Sequence, residues 1–458
     1  MNAFLAALKE LDAGFAALPE FSPSPHDETR LLDVLLSTAQ RLQDNYPYFH
    51  PLYAGQMLKP PHPIARLAYA LAMWINPNNH ALDGGRATSA MEKEAVAEIA
   101  SMFGWRNFLG HLCGGGTMAN LEALWVSGQL RPGKKILASA QAHYTHHRIS
   151  SVLQLPFESI PVDSHARMDL NALQDLAARG DVGTVVATMG TTATGSVDPL
   201  PDILALREKY GFRVHADAAY GGYFALVENL ADRAQSAFAR IAEVDSVVID
   251  PHKHGLQPYG CGCVLFRDPS VGRLYQHDSP YTYFSSTELH LGEISLECSR
   301  PGAAAAALWA TQKLLPLAKR GEFAQLLQRS RQAALALHEK IKADSRFIPA
   351  FPPELDIVVF APRAASVSAM SAKSRAIFTV VAARGLHLAV ADLPVSFFTA
   401  LDSGVLRDRP TLTCLRSVLM KPEHLDWIDF LWQILSKATD ELSVTHVQAQ
   451  SNPGLRTI

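Results

Sequence analysis

Short apolar runs alternate with helical segments through the middle of the chain, from about residue 130 to about residue 270. Five of these runs read as buried strands: KKILASA, GTVVATMG, FRVHADAAY, SVVIDP and CVLFRD. The segments between them, such as DLNALQDLAARG and PLPDILALREKYG, have a helical pattern. This alternation predicts an α/β layered domain built on a mainly parallel sheet. Ligands bind such sheets beyond the carboxyl ends of the strands, so residues at those ends are the first candidates for chemistry.

The regions on either side have different patterns. Residues 1 to about 65 read as helices and Pro-rich loops, and the first stretch reads as an amphipathic helix, not a signal peptide. In SAMEKEAVAEIASMF the spacing of Ser89 and Glu92 predicts a capping box at a helix start. Past SRPGAAAAALWATQKLL we expect a long helix that continues toward residue 340. We predict three parts: an N-terminal helical segment (1–65), a large α/β domain (66–335) and a small C-terminal α+β domain (336–458).

The composition narrows the class of protein. With 458 residues, 48% of them hydrophobic and 19% charged, the chain is typical of a globular enzyme with more than one domain. The formal net charge of -3 gives no basic excess, so no nucleic-acid partner is predicted. No run approaches about 18 uninterrupted apolar residues, so no membrane partner is predicted. The five scattered cysteines favour a cytoplasmic protein with reduced thiols.

Two short motifs resemble metal ligands, but both lack partners. Cys261 and Cys263 form a single Cys-x-Cys pair, and the sequence has no second pair. His146 and His147 have no matching set of carboxylates or cysteines. The sequence therefore predicts no metal site.

A glycine-rich segment precedes an apolar-periodic helix in CGGGTMANLEALW. Glycines allow backbone N–H groups to approach an anion, and the start of a helix adds partial positive charge. A phosphate group would therefore lie at Gly115, Gly116 and Thr117. The segment has neither the GK[ST] ending of a nucleotide P-loop nor a G-x-G-x-x-G pattern, and a simple tight turn is the alternative interpretation.

Three other strand ends carry residues that suit a flat, charged ring. VHADAAYGG places Asp217 at the end of an apolar strand, followed by small residues that include Ala219. His143 follows the strand KKILASA, where an imidazole could stack on a ring. Thr192 lies in the Thr-rich turn after GTVVATMG. A loop cap at Asp217 and a purely structural turn at Thr192 are the alternatives.

A lysine stands between two histidines in DPHKHG, directly after the apolar run of SVVIDP. Asp250, His252 and Lys253 therefore lie at one more strand end. Pyridoxal phosphate needs this combination: donors for its phosphate, a carboxylate for its ring nitrogen, a flat partner for its ring and a lysine for its aldehyde. The strand ends together predict a pyridoxal phosphate site.

The order of these motifs resembles the group II pyridoxal-phosphate-dependent amino acid decarboxylases. HADAAYGG, DPHK and LRSVLM carry the resemblance, which runs from about Asn76 to about Pro422. It implies the fold-type-I transferase fold, with a mainly parallel central sheet flanked by helices. It also implies that an L-amino acid is converted to its amine and carbon dioxide. Finally, it implies a homodimer with active sites at the interface, in which the N-terminal segment wraps the partner.

The resemblance also assigns roles by position. Lys253 corresponds to the lysine that binds the cofactor aldehyde, and Asp217 to the partner of the ring nitrogen. His143 corresponds to the stacking histidine, with Ala219 on the opposite face of the ring. Gly116, Thr117 and His252 correspond to phosphate contacts, and Arg416 to the receptor of the substrate α-carboxylate. Asp250 occupies a position that is asparagine or serine in some relatives, and we expect its carboxylate to orient His252 rather than to touch the phosphate.

The substrate and the proton donor are less determined. NYPYFHPLYAGQML resembles the family's pocket-lining stretch, so Tyr53 and Gln56 are expected near the substrate side chain, with a helix surface or dimer interface as the alternative. SPYTYFSSTELHLGE lies where the family has its catalytic loop, so we expect a mobile lid. Its Tyr281 or Tyr283 would protonate Cα, and packing in a dimer interface is the alternative.

Other activities of the same fold remain open at this point. A carbon–carbon lyase of the sphingosine-phosphate lyase type would leave Arg416 without a substrate carboxylate. An aminotransferase or desulfurase would lack the His-Lys pair in this context. An aldehyde synthase would result if oxygen reached the reacting carbon. A non-catalytic protein would have no need of Lys253 and Asp217.

Overall fold

The computed structural model describes residues 2–276 and 289–451, with side chains described as far as residue 442. Its centre is a seven-stranded sheet with the strand order β1-β7-β6-β5-β4-β2-β3. The strands are β1 (Leu109–Cys113), β2 (Lys135–Ser139), β3 (Phe157–Ile160), β4 (Val182–Thr188), β5 (Arg213–Asp217), β6 (Ser246–Ile249) and β7 (Gly262–Phe266). Four neighbouring pairs are parallel, and the two pairs that involve β7 are antiparallel. The predicted α/β domain with a mainly parallel sheet is confirmed.

Both faces of this sheet are buried, which explains why its strands are so apolar. On β6, Val247 and Ile249 pack into one hydrophobic cluster, while Val248 packs into another on the opposite face. A sheet that is covered on both faces has no solvent side and reads as continuous apolar runs. The five predicted strand runs form β2, β4, β5, β6 and β7.

Helices surround the sheet, and further helices lie at both ends of the described chain. The α-helices of the described residues are α1 (Asn2–Ala13), α2 (Glu28–Leu42), α3 (Pro63–Met73), α4 (Leu82–Met102), α5 (Gly116–Leu130), α6 (Thr145–Val152), α7 (Leu170–Ala177), α8 (Leu200–Tyr210), α9 (Asp232–Ala239), α10 (Gly302–Leu314), α11 (Glu322–Ala343), α12 (Val367–Ala382) and α13 (His424–Ser451).

Two predictions about helices are wrong. Ser89 and Glu92 form no capping box, because α4 begins earlier and both residues lie buried inside it. Glu92 instead accepts a hydrogen bond from the Leu112 N–H (2.9 Å) and pairs with Arg300 (2.6 Å). The long helix expected toward residue 340 is two helices, α10 and α11. Pro316 accounts for the break, because a proline disfavours helical geometry at the preceding residue.

A second sheet forms the small C-terminal part. Its four strands, β8 (Phe347–Pro349), β9 (Ile357–Pro362), β10 (Ala389–Pro394) and β11 (Thr411–Val418), are antiparallel in the order β10-β11-β9-β8. Residues of α11, including Leu337 and Ile341, share a buried cluster with this sheet and with α13. The predicted boundary at 335/336 therefore falls inside a helix that packs on the small sheet, and the boundary at 65/66 falls inside α3.

The N-terminal helices differ from the rest of the chain in burial. Neither α1, the predicted amphipathic helix, nor α2 contains a buried residue. Four leucines of α2 are about half exposed: Leu31, Leu32, Leu35 and Leu36. Among the described residues, no helix combines the length and the apolar character that crossing a membrane requires.

Candidate active site

The C-terminal ends of β1, β2, β4, β5 and β6 meet at one edge of the large sheet, where they surround a cavity of about 540 Å³. Every residue predicted to contact the cofactor lines this cavity: Gly115, Gly116, Thr117, His143, Thr192, Asp217, Ala219, Asp250, His252 and Lys253. Residues up to 138 positions apart in the chain are thus brought together by the sheet, since Gly115 follows β1 and Lys253 follows β6.

The glycines after β1 form the floor of the cavity. Gly115 has a φ of +148°, and α5 begins at Gly116 with no side-chain cap and no acidic residue in its first turn. A Cβ atom on Gly116 would lie 2.6 Å from Oδ2 of Asp250, and one on Gly262 would lie 2.6 Å from the carbonyl carbon of Gly115. Only glycine therefore fits here, and the uncapped helix start is suited to bind a phosphate.

Asp217 ends β5 and is held by a histidine from α6. Oδ2 of Asp217 lies 2.7 Å from Nε2 of His146, and both side chains are buried. Burial alone would raise the pKa of Asp217, but the hydrogen bond and charge of His146, together with Lys253, hold that pKa below its ordinary range. The carboxylate therefore stays ionised inside the cavity.

A second histidine lies behind this pair and stays neutral. His215, on β5, contacts the Ser246 hydroxyl and the Asn120 side chain, each at 2.8 Å. Burial lowers the pKa of His215 to about 3. His215 therefore carries no charge near Asp217, and the histidine that contacts Asp217 is His146.

Lys253 lies across the cavity and pairs with Asp250. Its Nζ is 3.0 Å from Oδ2 of Asp250, whereas Nε2 of His252 is 3.6 Å from the same oxygen. The His252 ring is held instead by Nδ1, which donates to the Cys261 carbonyl at 2.8 Å. Asp250 is therefore closer to Lys253 than to His252, and its role in orienting His252 stays a prediction. Oδ1 of Asp250 is buried and has no hydrogen-bond partner among the described residues, which leaves it available to a ligand.

His143 lies at the cavity wall after β2. Its Nδ1 is 2.8 Å from the Thr145 hydroxyl, and burial lowers the pKa of the ring. Its ring is tilted against Tyr144, with 4.5 Å between centroids. Ala219 lines the same cavity, and its N–H donates to Oδ1 of Asp217 at 3.2 Å.

Arg416, on β11 of the small sheet, contacts Thr192, which lines the cavity. Its guanidinium is buried and donates to the carbonyls of Thr192 (2.6 Å), Ala193 (3.0 Å) and Gly55 (3.1 Å). Among the described residues no carboxylate lies within ion-pair distance of it. A buried cation that is surrounded by carbonyls has charge to offer a carboxylate ligand.

The structure separates the two residues predicted from the pocket-lining stretch. Oε1 of Gln56 lies 3.4 Å from the Arg416 guanidinium, so Gln56 lies next to Arg416. Tyr53 is buried among other rings, 4.9 Å from the centroid of Tyr48 and 6.2 Å from that of His387. Burial raises the pKa of Tyr53 to about 12. Tyr281 and Tyr283 lie outside the described residues.

Several residues that line the cavity or hold its side chains were not predicted. His146 was visible only as part of a His-His pair, which suggested metal. Within the described chain no group of three or more His, Cys, Asp or Glu side chains is placed to hold a metal. Asn120, Thr145, Thr188 and Tyr220 line the cavity but were assigned no role, although Asn120 lies in CGGGTMANLEALW, Thr188 in GTVVATMG and Tyr220 in HADAAYGG.

The residues fit pyridoxal phosphate. The glycine floor and helix start match a phosphate, the ionised Asp217 matches a protonated ring nitrogen, and Lys253 matches an aldehyde.

Comparison with known proteins also indicates a pyridoxal-dependent enzyme. Residues 118–363 match the family model described as the pyridoxal-dependent decarboxylase conserved domain. An L-tyrosine decarboxylase of Enterococcus faecium is 30% identical, with 68% of this chain and 67% of the relative covered. A probable L-tyrosine/L-aspartate decarboxylase of Methanopyrus kandleri is 27% identical, with 69% and 84% covered.

Solved structures show the fold. The crystal structure of mouse CSAD has a TM-score of 0.77 at 20% identity, and covers 94% of this chain and 91% of its own. The crystal structure of Oryza sativa TDC with PLP and tryptamine has a TM-score of 0.76 at 19% identity, and covers 94% of this chain and 91% of its own.

Proposed function

We propose a role for each residue of the cavity, from the premise that this chain belongs to the pyridoxal-dependent decarboxylases and removes the carboxyl group of an amino acid with pyridoxal phosphate as cofactor. The observation that carries these roles is the placement of an ionised Asp217 and of Lys253 in one cavity. When bound, the cofactor supplies an aldehyde that condenses with amines and a ring that accepts electrons.

The residues of the large domain hold and tune the cofactor. Lys253 provides the amine for the aldehyde, and Asp217 holds the proton on the ring nitrogen. His146 keeps Asp217 ionised and fixed in orientation. His143 and Ala219 line the cavity, and each would pack against a face of the ring. Phosphate contacts come from the N–H groups and hydroxyl of Gly115, Gly116 and Thr117, with His252 and Thr192 at the edge.

Arg416 receives the substrate α-carboxylate. Its buried guanidinium contacts the Thr192 carbonyl, and Thr192 lines the cavity, so the positive charge lies next to the reacting centre. A carboxylate bound there would be held so that its bond to Cα could stand perpendicular to the plane of the ring. This role distinguishes a decarboxylase from a carbon–carbon lyase whose substrate has no α-carboxylate.

The proton donor to Cα is Tyr281 or Tyr283. A phenol near Cα would deliver the proton and exclude oxygen. Replacing the correct tyrosine with phenylalanine should slow amine formation and release aldehyde, ammonia and peroxide. Amine and peroxide are measured for Tyr281→Phe and Tyr283→Phe separately. If both variants keep the wild-type rate and product ratio, the donor is another group, with His143 the next candidate.

The substrate is an L-amino acid whose side chain extends toward Gln56. The curated relatives are named for tyrosine and aspartate, so L-tyrosine and L-aspartate are the first substrates to test. The test measures carbon dioxide and amine from these two and from glutamate, cysteine sulfinate and 2,4-diaminobutyrate. Release of carbon dioxide and of an equal amount of amine supports the proposal, whereas keto acid without carbon dioxide would indicate an aminotransferase.

The chain acts as a homodimer in the cytoplasm. The four half-exposed leucines of α2 support a dimer, because a solvated helix seldom keeps such an apolar face. Replacing Leu32 and Leu36 with glutamate should produce monomers in sedimentation experiments. Free thiols at all five cysteines support a reducing compartment.

A further inference from the structure

Behind the cavity wall, Asp356 joins two side chains of the large domain. The Tyr220 hydroxyl donates to Oδ1 of Asp356 at 2.6 Å, and Nε2 of His254 lies at ion-pair distance from Oδ2, 3.2 Å, without hydrogen-bond geometry. All three side chains are buried. The Tyr220 and His254 rings are also in contact, with 4.8 Å between centroids. These three residues, here called the Asp356 cluster, form one connected unit.

The Asp356 cluster crosses between the two parts of the site. Asp356 directly precedes β9, and β9 pairs with β11, where Val359 lies opposite Arg416. Tyr220 lines the cavity, and His254 directly follows Lys253 in the chain. The cluster thus connects the strand pair that carries Arg416 to the segment that carries Lys253.

The charge at Asp356 supports this connection. Burial alone would raise the pKa of Asp356, but His254 and the Tyr220 hydrogen bond hold it below its ordinary range. Lys59 lies nearby, and burial lowers its pKa to about 8. A buried carboxylate that remains ionised needs such partners, and its loss would leave them unpaired.

We propose that Asp356 is a positioning residue that sets the placement of Arg416 relative to Lys253 by holding Tyr220 and His254. This inference deepens the proposed function and rests on it. A displaced Arg416 would contact the substrate carboxylate less well in both the ground state and the transition state, so the effect should fall on KM more than on kcat.

Glu354 provides a matched control, because it also joins the two parts but away from the cavity. This buried carboxylate pairs with Arg167 and accepts from the Val197 N–H at 2.6 Å. Neither partner lines the cavity. If Asp356 only fastened the two parts together, Glu354→Gln and Asp356→Asn would behave alike.

The experiment compares holoenzymes carrying Asp356→Asn, Tyr220→Phe, both changes together, and Glu354→Gln. We expect the first two to raise KM about tenfold while kcat falls less than about threefold and cofactor affinity changes less than about twofold. The double variant should cost no more than the larger single change, because Tyr220→Phe removes the hydrogen bond to Asp356 and Asp356→Asn weakens that same bond by replacing a charged acceptor with a neutral one. Glu354→Gln should lower Tm but leave KM within about twofold of wild type. Equal KM changes in Asp356→Asn and Glu354→Gln, or additive effects in the double variant, would overturn the proposal.

Hydrogen exchange tests the Asp356 cluster without any turnover. Asp356→Asn should raise amide exchange in peptides covering 218–224 and 250–257, whereas Glu354→Gln should raise it near 165–168 and 196–198. A wild-type enzyme that decarboxylates no amino acid would contradict the proposed function, yet this exchange pattern would still decide the role of Asp356. Unchanged exchange in 218–224 and 250–257 would contradict it.

Discussion

The part of the site that holds the cofactor and the part that receives the substrate are built in different ways. The cofactor part comes from the ends of five strands of one sheet, and all ten predicted residues line its cavity. The substrate part joins Arg416 to Gln56, 360 residues earlier in the chain. A sheet edge brings strand ends together by topology alone, whereas the substrate part depends on how the small sheet docks. Cofactor binding should therefore survive substitutions in the substrate part, whereas substitutions in the cofactor part should also impair the reaction of the substrate.

The largest effect is expected at Asp217. Asp217→Asn removes the charge that matters most when negative charge builds on the ring, so kcat should fall by about a thousandfold. Cofactor affinity should change far less, because the phosphate contacts remain. Single-turnover kinetics and a cofactor titration measure the two effects. A variant that binds the cofactor and decarboxylates normally would make Asp217 structural.

His146→Asn should have the next largest effect, because it removes the 2.7 Å hydrogen bond to Asp217. We expect kcat to fall about ten- to a hundredfold. The matched control is His147→Asn, since His147 is exposed and packs on Phe157. Steady-state rates are measured for both variants, and equal rates for His146→Asn and His147→Asn would show that His146 has no role in catalysis.

Arg416→Met tests the substrate part alone. Loss of the charged partner of a buried carboxylate costs about 2–5 kcal/mol, which should appear as a higher KM. The absorption spectrum of the enzyme without substrate should stay unchanged, because the cofactor contacts lie in the large domain. An unchanged KM would show that Arg416 only packs the small sheet.

The smallest effect concerns acid stability, and it compares the two parts directly. Burial lowers the pKa of His215, behind the cofactor, and of His424, in the small domain, to about 3. The pKa of a histidine in the unfolded chain is about 6.5, so the unfolded state takes up protons before the folded state does as the pH falls. Their contribution is fully present above about pH 6.5 and is lost between about pH 6.5 and 3.

Urea unfolding at pH 7 and pH 5 measures this loss. Each histidine should account for about 1–2 kcal/mol of the difference in unfolding free energy between the two pH values. His215→Asn and His424→Asn should each reduce the difference, whatever their absolute stability. Identical pH dependence in wild type and in both variants would contradict the account.

The sequence predicts the cofactor part well because its signals are local. Strand runs end in the residues of interest, and Asp217, His252 and Lys253 lie within short recognisable motifs. His146 was missed because a pair of histidines suggested metal and only tertiary structure aims Nε2 at Asp217. The bond between Tyr220 and Asp356 spans 136 residues, and no local pattern reports it.

Spacing alone was also insufficient for the start of α4 and for Tyr53. Ser89 and Glu92 have the spacing of a capping box, yet Glu92 serves Arg300 inside the helix. Tyr53 and Gln56 lie three residues apart, yet one turns into an aromatic cluster and the other to Arg416. In both cases local spacing allowed two placements of the side chain, and long-range packing determined which one formed.

The central claim is that the cofactor binds through Lys253 in the large-domain cavity, and reduction with borohydride tests it most directly. Burial lowers the pKa of Lys59 to about 8 and that of Lys421 to about 7, so a larger fraction of each amine is neutral and able to react with an aldehyde. By reactivity alone, these two lysines would therefore compete with Lys253 for the cofactor. Geometry favours Lys253, which lies in the cavity with Asp217. Peptide mapping of the reduced holoenzyme should place the cofactor on Lys253, and a label on Lys59, Lys421 or Lys135 instead would contradict the account.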